Sequence, residues 1–385
     1  MQTLYFSDEL IGAGLPILTK DGAIAKQRLI EYISRLLLDR GYIPIASPHI
    51  GNLSLFSKSG HYPFYKDSMF PVIEGGDNGQ FALKPMNCPF HIMAYKKMGI
   101  ISYRELPMKF YEFGQVYRYE DSGALNGLYR LRSFTQDDGH LFCSIDQIGD
   151  IVKECIELIK IICKSFRLEL TVKYSSREEN NKEKYIGSSN DWDISQDILR
   201  KLCKENFGEN YMEDRGGAAF YGPKIDFIAS DKLSRQWQLG TIQLDFNLGE
   251  RFDIGYINEE NKKEVPVIIH RALLGSLERF LGILVENNLL PLYLQPFNMG
   301  IIWIGKDELY LENIVSRLKN IGIYPTVLKT PKNLSDAMVQ LYQRDINNIV
   351  IIGRKEEANN MVNFNKKDYP TEEYFGVVSE LFRLD

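Results

Sequence analysis

Residues 109–143 constrain the fold more than any other part of the chain. The runs KFYEFGQVYRYE and YRLRSFTQDDGHLFC alternate apolar with polar side chains, and the DSGALNGL between them is polar and carries two glycines. That alternation is the two-residue period of a strand with one buried face. Two such runs joined by a polar, glycine-bearing segment form a long hairpin, so the sheet that holds them is antiparallel there. Further extended segments flank it: GYIPIASP, YPFYKDSMFPVI and QFALKP before, and LELTVKYSS, AAFYGPKIDFIAS, QWQLGTIQLDFNL and VPVIIH after.

Helical spacing marks residues 23–40, AIAKQRLIEYISRLLLDR, which stop at Gly41, and residues 146–166. The run RALLGSLERFLGILVEN, directly after VPVIIH, also reads as a helix. Residues 1–290 are therefore expected to form an α+β domain, a mainly antiparallel sheet with flanking helices. At Leu290-Pro291 the rhythm changes to apolar runs alternating with helical patterns, and residues 291–385 are expected to form a small α/β domain with a largely parallel sheet.

The 385 residues are 44% hydrophobic and 25% charged, ordinary for a globular chain, and no window reaches eighteen consecutive apolar residues. The start, MQTLYFSDEL, has acids and no basic segment ahead of an apolar run. A cytoplasmic protein with no membrane segment is the expectation. Five cysteines without paired spacing argue against a disulfide framework. A net charge of −5 excludes a global basic field, so no DNA-coating role is expected and any RNA would bind a local patch.

Three features carry candidate chemistry: arginines among aromatics between 118 and 134, Gln136-Asp137-Asp138-Gly139-His140, and Ile269-His270-Arg271. Each alone is a weak signal. Together they resemble a known family. FGQVYRYE (113–120) is similar to the second motif of class II aminoacyl-tRNA synthetases, GSLER (275–279) to the third, and the segment around Pro44 and Pro48 to the first. KPMNCP (84–89), FTQDDGH (134–140), FYGPK (220–224), QLDF (243–246) and IHR (269–271) resemble threonyl-tRNA synthetases in particular.

The resemblance implies a threonine–tRNA ligase, which joins L-threonine to tRNA(Thr) through threonyl-adenylate. It implies Zn²⁺ on Cys88, His140 and His270, one ion per subunit, with Mg²⁺ accompanying ATP. His91, three residues from Cys88, is a rival ligand on local spacing alone. Three protein ligands leave zinc an open position for substrate, which in the family takes threonine's amino group and hydroxyl and so rejects valine. The resemblance further implies that Arg118 bridges the carboxylate and α-phosphate and that Arg130 and Arg279 hold the outer phosphates. It puts Glu120, Phe134 and Gln238 in the ATP site, and Gln136, Asp138, Tyr221 and Lys224 around threonine. The first motif's role in the family implies a homodimer.

Several positions depart from the family pattern. Phe90 replaces a glycine and Leu239 a cysteine, both expected close to the pocket. The pattern begins near the N-terminus, so an editing module is not expected ahead of it. In the C-terminal, anticodon-binding-like domain, Ala337-Met-Val-Gln-Leu341 and Asn363-Phe-Asn-Lys-Lys-Asp368 stand where basic recognition residues occur in the family. That loss leaves open a chain that activates threonine for another acceptor, or one that only binds threonine or ATP.

Overall fold

The computed structural model describes residues 4–381 apart from 77, 78, 179, 231, 232, 292, 296–298 and 345. Two compact units result, Met1–Leu290 and Pro291–Asp385. The first is built on an eight-stranded sheet. In chain order its strands are β1 (Ile43–Pro44), β2 (Met108–Tyr117), β3 (Ser133–Cys143), β4 (Leu170–Ser176), β5 (Met212–Arg215), β6 (Lys224–Ser230), β7 (Gln236–Asp245) and β8 (Val267–Ser276). In space they run β5-β4-β6-β7-β8-β3-β2-β1, antiparallel except for the outermost pair at each edge.

The hairpin β2–β3 pairs without a break from Met108 opposite Phe142 to Tyr117 opposite Ser133. Its connection is a short 3₁₀ turn, Ser122–Ala124, followed by a bridge between Asn126 and Arg130.

One face of the sheet is closed by helices. α1 (Lys20–Leu38) starts at Thr19, whose side chain accepts from the Gly22 amide. In α3 (Ile148–Ser165), Ile148, Ile151, Val152, Cys155, Ile156, Ile159 and Ile162 are buried, the three- and four-residue spacing of one helical stripe. Each such apolar side chain contributes about 1.5–3 kcal/mol on burial. α4 (Ser189–Phe207), capped by Ser188, packs on β4, β6 and β7, and α5 (Leu277–Glu286) packs on β3 and β8. Gly240 points at Ile159 of α3, and Arg271 lies beside Tyr42. Alternation along β7 and β8 therefore turns Thr241, Gln243 and His270 to the opposite face.

On that opposite face sits α2 (Cys88–Lys97), whose Pro89 falls in the first turn, where a missing amide hydrogen costs nothing.

Two local expectations are corrected. The run Arg271–Ser276 continues β8 instead of starting a helix, because apolar residues here are buried on both faces; the helix begins only after Gly275, with φ +67°, and the N-cap Ser276. YPFYKDSMFPVI (62–73) is mostly not extended: it takes in most of a helical turn, His61–Phe64, and a 3₁₀ turn, Lys66–Ser68, and only its end reaches the strand Ile73–Glu74.

The second unit has a five-stranded sheet of β9 (Met299–Ile304), β10 (Thr326–Lys329), β11 (Asn348–Gly353), β12 (Met361–Phe364) and β13 (Lys367–Pro370), ordered β10-β9-β11-β12-β13. β10, β9 and β11 are parallel; β12 and β13 add an antiparallel hairpin. Asn365 and Lys366 turn it with φ of 48° and 70°, the paired positive values of a tight hairpin. α6 (Glu308–Asn320) and α8 (Thr371–Leu381) bury Leu311, Ile314, Leu318 and Tyr374 against one face of the sheet, and α7 (Leu334–Tyr342) buries Ala337 and Leu341 against the other. Among the described residues, no helix is long and apolar enough to cross a membrane.

Candidate metal and nucleotide site

One row of residues runs across four strands of the first unit. Lys224 on β6 stands opposite Gln243 on β7, Gln243 opposite His270 on β8, and His270 opposite His140 on β3. The two-residue period places Asp138 and Gln136 on the same face as His140. Over this row lies the first residue of α2, Cys88. The ligand atoms of Cys88, His140 and His270 all lie within 4.8 Å of one another, and all three residues are buried.

One sulfur and two imidazole nitrogens in a buried triangle are a donor set suited to zinc. Each imidazole already has one nitrogen engaged. His270 Nε2 is 2.9 Å from the Asp245 carboxylate, and His140 Nδ1 is 2.8 Å from His91 Nδ1. The remaining nitrogen of each ring is left for a ligand. The Tyr221 ring stacks on His270, centroids 4.6 Å apart, and its hydroxyl donates to Gln243.

Burial, together with the carboxylates of Asp138 and Asp245, pushes the Cys88 thiol well up. Burial and the neighbouring His91, His270 and Arg271 hold His140 well below its ordinary value, so its ring is neutral. A metal ion would supply the positive charge that makes the thiolate stable here. Asp138 is itself raised by burial; Asn87 donates to it at 3.0 Å. Gln136 Oε1 is buried in the lining with no hydrogen-bond partner among the described residues, a polar atom suited to a ligand.

The cavity above the row holds about 250 Å³. Arg118 enters it with its guanidinium 5.2 Å from the centre of the Phe134 ring. Arg279 enters from α5, held by the carbonyls of Tyr129 and Gln238, each at 2.7 Å. Burial and the charges of Arg118 and Arg130 push Arg279 down to about 10, still protonated at neutral pH. Arg130 itself pairs with Glu120 at 2.8 Å. Converging guanidinium groups over a ring platform form a site for a polyanion with an aromatic base.

Of the thirteen residues predicted from sequence, ten line this cavity: Cys88, Arg118, Phe134, Gln136, Asp138, His140, Tyr221, Gln238, His270 and Arg279. Glu120, Arg130 and Lys224 stand outside the lining. Lys224 is paired with the buried Asp226 at 2.6 Å, and Asp226 also accepts from Gln238 at 2.8 Å. Leu239 lines the cavity as expected, but Phe90 does not. It turns away to pack edge-on against Phe56 at 6.0 Å, in a small core with Met69 and Ala82. A Cβ on Gly51 would come within 2.8 Å of that ring, so Phe90 fits only over a glycine.

Sequence reasoning passed over His61. Its Nε2 is 3.4 Å from Cys88 Sγ, and its Nδ1 is 2.7 Å from Ser59 Oγ. Burial, then His270, Arg118 and Arg251, hold it down to about 3. The available signal was scarcity: the chain has five histidines, and His61, His91, His140 and His270 are buried together.

Comparison with known proteins gives the family. Residues 70–288 match the family model of the tRNA synthetase class II core domain (G, H, P, S and T). The threonine–tRNA ligase of Aquifex aeolicus is 42% identical over 364 residues, and that of Chlorobium chlorochromatii 38% over 371. Each match covers 94% of this chain and 56% of the relative, so the chain spans little more than half the length of these curated relatives. The crystal structure of the RNA binding domain of threonyl-tRNA synthetase from Cryptosporidium parvum superposes with a TM-score of 0.85 at 30% identity, over 98% of this chain and 96% of that one.

Proposed function

Since the chain belongs to the threonyl-tRNA synthetase family of class II synthetases, we propose that it activates L-threonine with ATP and transfers the threonyl group to the 3′ end of tRNA(Thr). The observation that carries this reading is the meeting of Cys88, His140 and His270 in the cavity that Arg118 and Arg279 enter.

In the first step a threonine carboxylate oxygen attacks the α-phosphorus of ATP and pyrophosphate leaves. No proton need move, so the chain's task is positioning and charge neutralisation. Arg118 bridges the carboxylate and the α-phosphate through its planar fork, while Arg279 and Arg130 take the outer phosphates with Mg²⁺. Phe134 stacks on the adenine, Glu120 accepts from its amino group, and Gln238 lies along the nucleotide. In the second step a ribose hydroxyl of the tRNA attacks the threonyl carbonyl, the bond from that carbon to the phosphate oxygen breaks, and AMP leaves with the hydroxyl's proton on its phosphate.

Gln136, Asp138 and Tyr221 surround threonine, and Lys224, kept in place by Asp226, stands at the end of the same row. Zinc held by Cys88, His140 and His270 would supply a Lewis-acid contact for threonine's amino group and hydroxyl. Valine matches threonine in shape but lacks the hydroxyl, and a site built around that group discriminates by about 10⁴-fold. We further infer that residues 1–290 act as the catalytic domain, that residues 291–385 face tRNA, and that the enzyme works as a cytoplasmic homodimer.

Threonine-dependent ATP–pyrophosphate exchange and tRNA charging, run beside valine and serine with a zinc assay on the same preparation, test the reading. Threonine is expected to be charged and valine rejected, with one zinc per chain. Absence of threonine-dependent exchange would overturn the reading; exchange without charging would favour another acceptor for the adenylate.

A further inference from the structure

We propose that His91 and Glu112 form a positioning relay that holds the His140 imidazole in a single tautomer, its proton on Nδ1 and the lone pair of Nε2 directed at the metal. This rests on the reading of Cys88, His140 and His270 as metal ligands.

His91 lies on α2 one turn after Cys88 and is fully buried. Its two nitrogens are both engaged: Nδ1 at 2.8 Å from His140 Nδ1, and Nε2 at 3.0 Å from Glu112 Oε2. Glu112, on β2, is fixed in turn by Lys84 Nζ at 3.2 Å and by the Ser47 hydroxyl at 2.8 Å. An ionised carboxylate can only accept, so the proton between Glu112 and His91 belongs to His91 Nε2. With His140 Nδ1 facing His91, a metal on His140 takes Nε2, so the ring's hydrogen sits on Nδ1 and His91 Nδ1 is the acceptor. The single hydrogen between the facing Nδ1 atoms must then come from His140. That leaves His140 Nε2 as the only lone pair its ring can present.

The two imidazole ligands are thus oriented by different means. His270 meets a carboxylate directly, through Asp245, whereas His140 reaches one through an intervening histidine. α2 serves the site twice, with the thiol at its first residue and the orienting ring one turn later.

The relay is tested on the zinc-loaded full chain labelled with ¹⁵N-histidine, using long-range proton–nitrogen correlations assigned with His91→Gln and His140→Gln. The expected spectrum shows His140 protonated on Nδ1 only and His91 on Nε2 only. A proton on His140 Nε2, or protons on both nitrogens of His91, would overturn the proposal. Chelator competition provides the second readout. His91→Leu is expected to weaken zinc binding by about 10–100-fold. His91→Gln, whose amide can accept from His140 and donate to Glu112, should stay within a few-fold of the parent. Unchanged affinity in His91→Leu, or a lower melting temperature of the metal-free chain with no loss of affinity, rejects the relay. Zinc bound as tightly by Cys88→Ser as by the parent would instead remove the metal site itself.

Discussion

Arg279 is aimed by two backbone carbonyls and pushed by two other guanidinium groups, so its place does not depend on a counter-ion in the protein. Arg279→Ala is expected to lower the ATP–pyrophosphate exchange rate by about 10²–10³-fold, the usual loss of a preorganised charge contact, with zinc content unchanged. Glu112 shows the reverse economy. Burial alone would raise it, but the hydrogen bond from His91 and the charge of Lys84 bring it down to about 2 from its ordinary 4.5. Its contribution to stability is therefore complete above pH 4.5 and lost as pH falls towards 2. Urea midpoints measured across that range should rise with pH in the parent and rise less in Glu112→Gln, a difference on the order of 2 kcal/mol. These residues differ in how readable they were. The arginines sit inside contiguous motifs. Cys88, His140 and His270 carry no metal-like spacing, because two of them meet through strand register and the third is brought over them by α2, and only the family resemblance singled them out as ligands. His61 stands just ahead of a segment read as extended and was passed over.

Among the elements, the hairpin β2–β3 was plain from alternation, since one face is buried and the other polar enough to keep the period. The join of β8 to α5 was not. Ala272, Leu273 and Leu274 are buried whichever way they point, and a run apolar on both faces has no period to betray the strand. What ends β8 is local: Gly275, where a Cβ would come within 2.4 Å of the Leu239 carbonyl, and Ser276, whose hydroxyl accepts from the Arg279 amide at 3.2 Å. Ser276→Ala is expected to cost about 1 kcal/mol in a urea titration, the usual loss at an N-cap. α4 went unread because its buried positions, such as Trp192, Ser195 and Leu199, are set among acids and lysines that dilute the apolar stripe.

For the molecule as a whole, the cavity and the cysteine–histidine triangle belong entirely to the unit Met1–Leu290, which has its own core. A chain ending at Leu290 is expected to retain zinc and threonine-dependent exchange within a few-fold, while charging of tRNA falls by about 10²-fold or more, as when one of two linked binding modules is lost. Parallel measurement of exchange and charging on that fragment checks both halves. The triangle itself draws on residues from 88 to 270, and two of its corners face each other across β3 and β8. A slip of either strand by one position would turn its histidine to the helical face and bring a glycine or a buried arginine round instead. On the proposed metal site, affinity would be a checksum on assembly: only a chain that has paired its central strands correctly, and laid α2 over them, would hold the ion, so a zinc titration during refolding would count correctly registered molecules one by one.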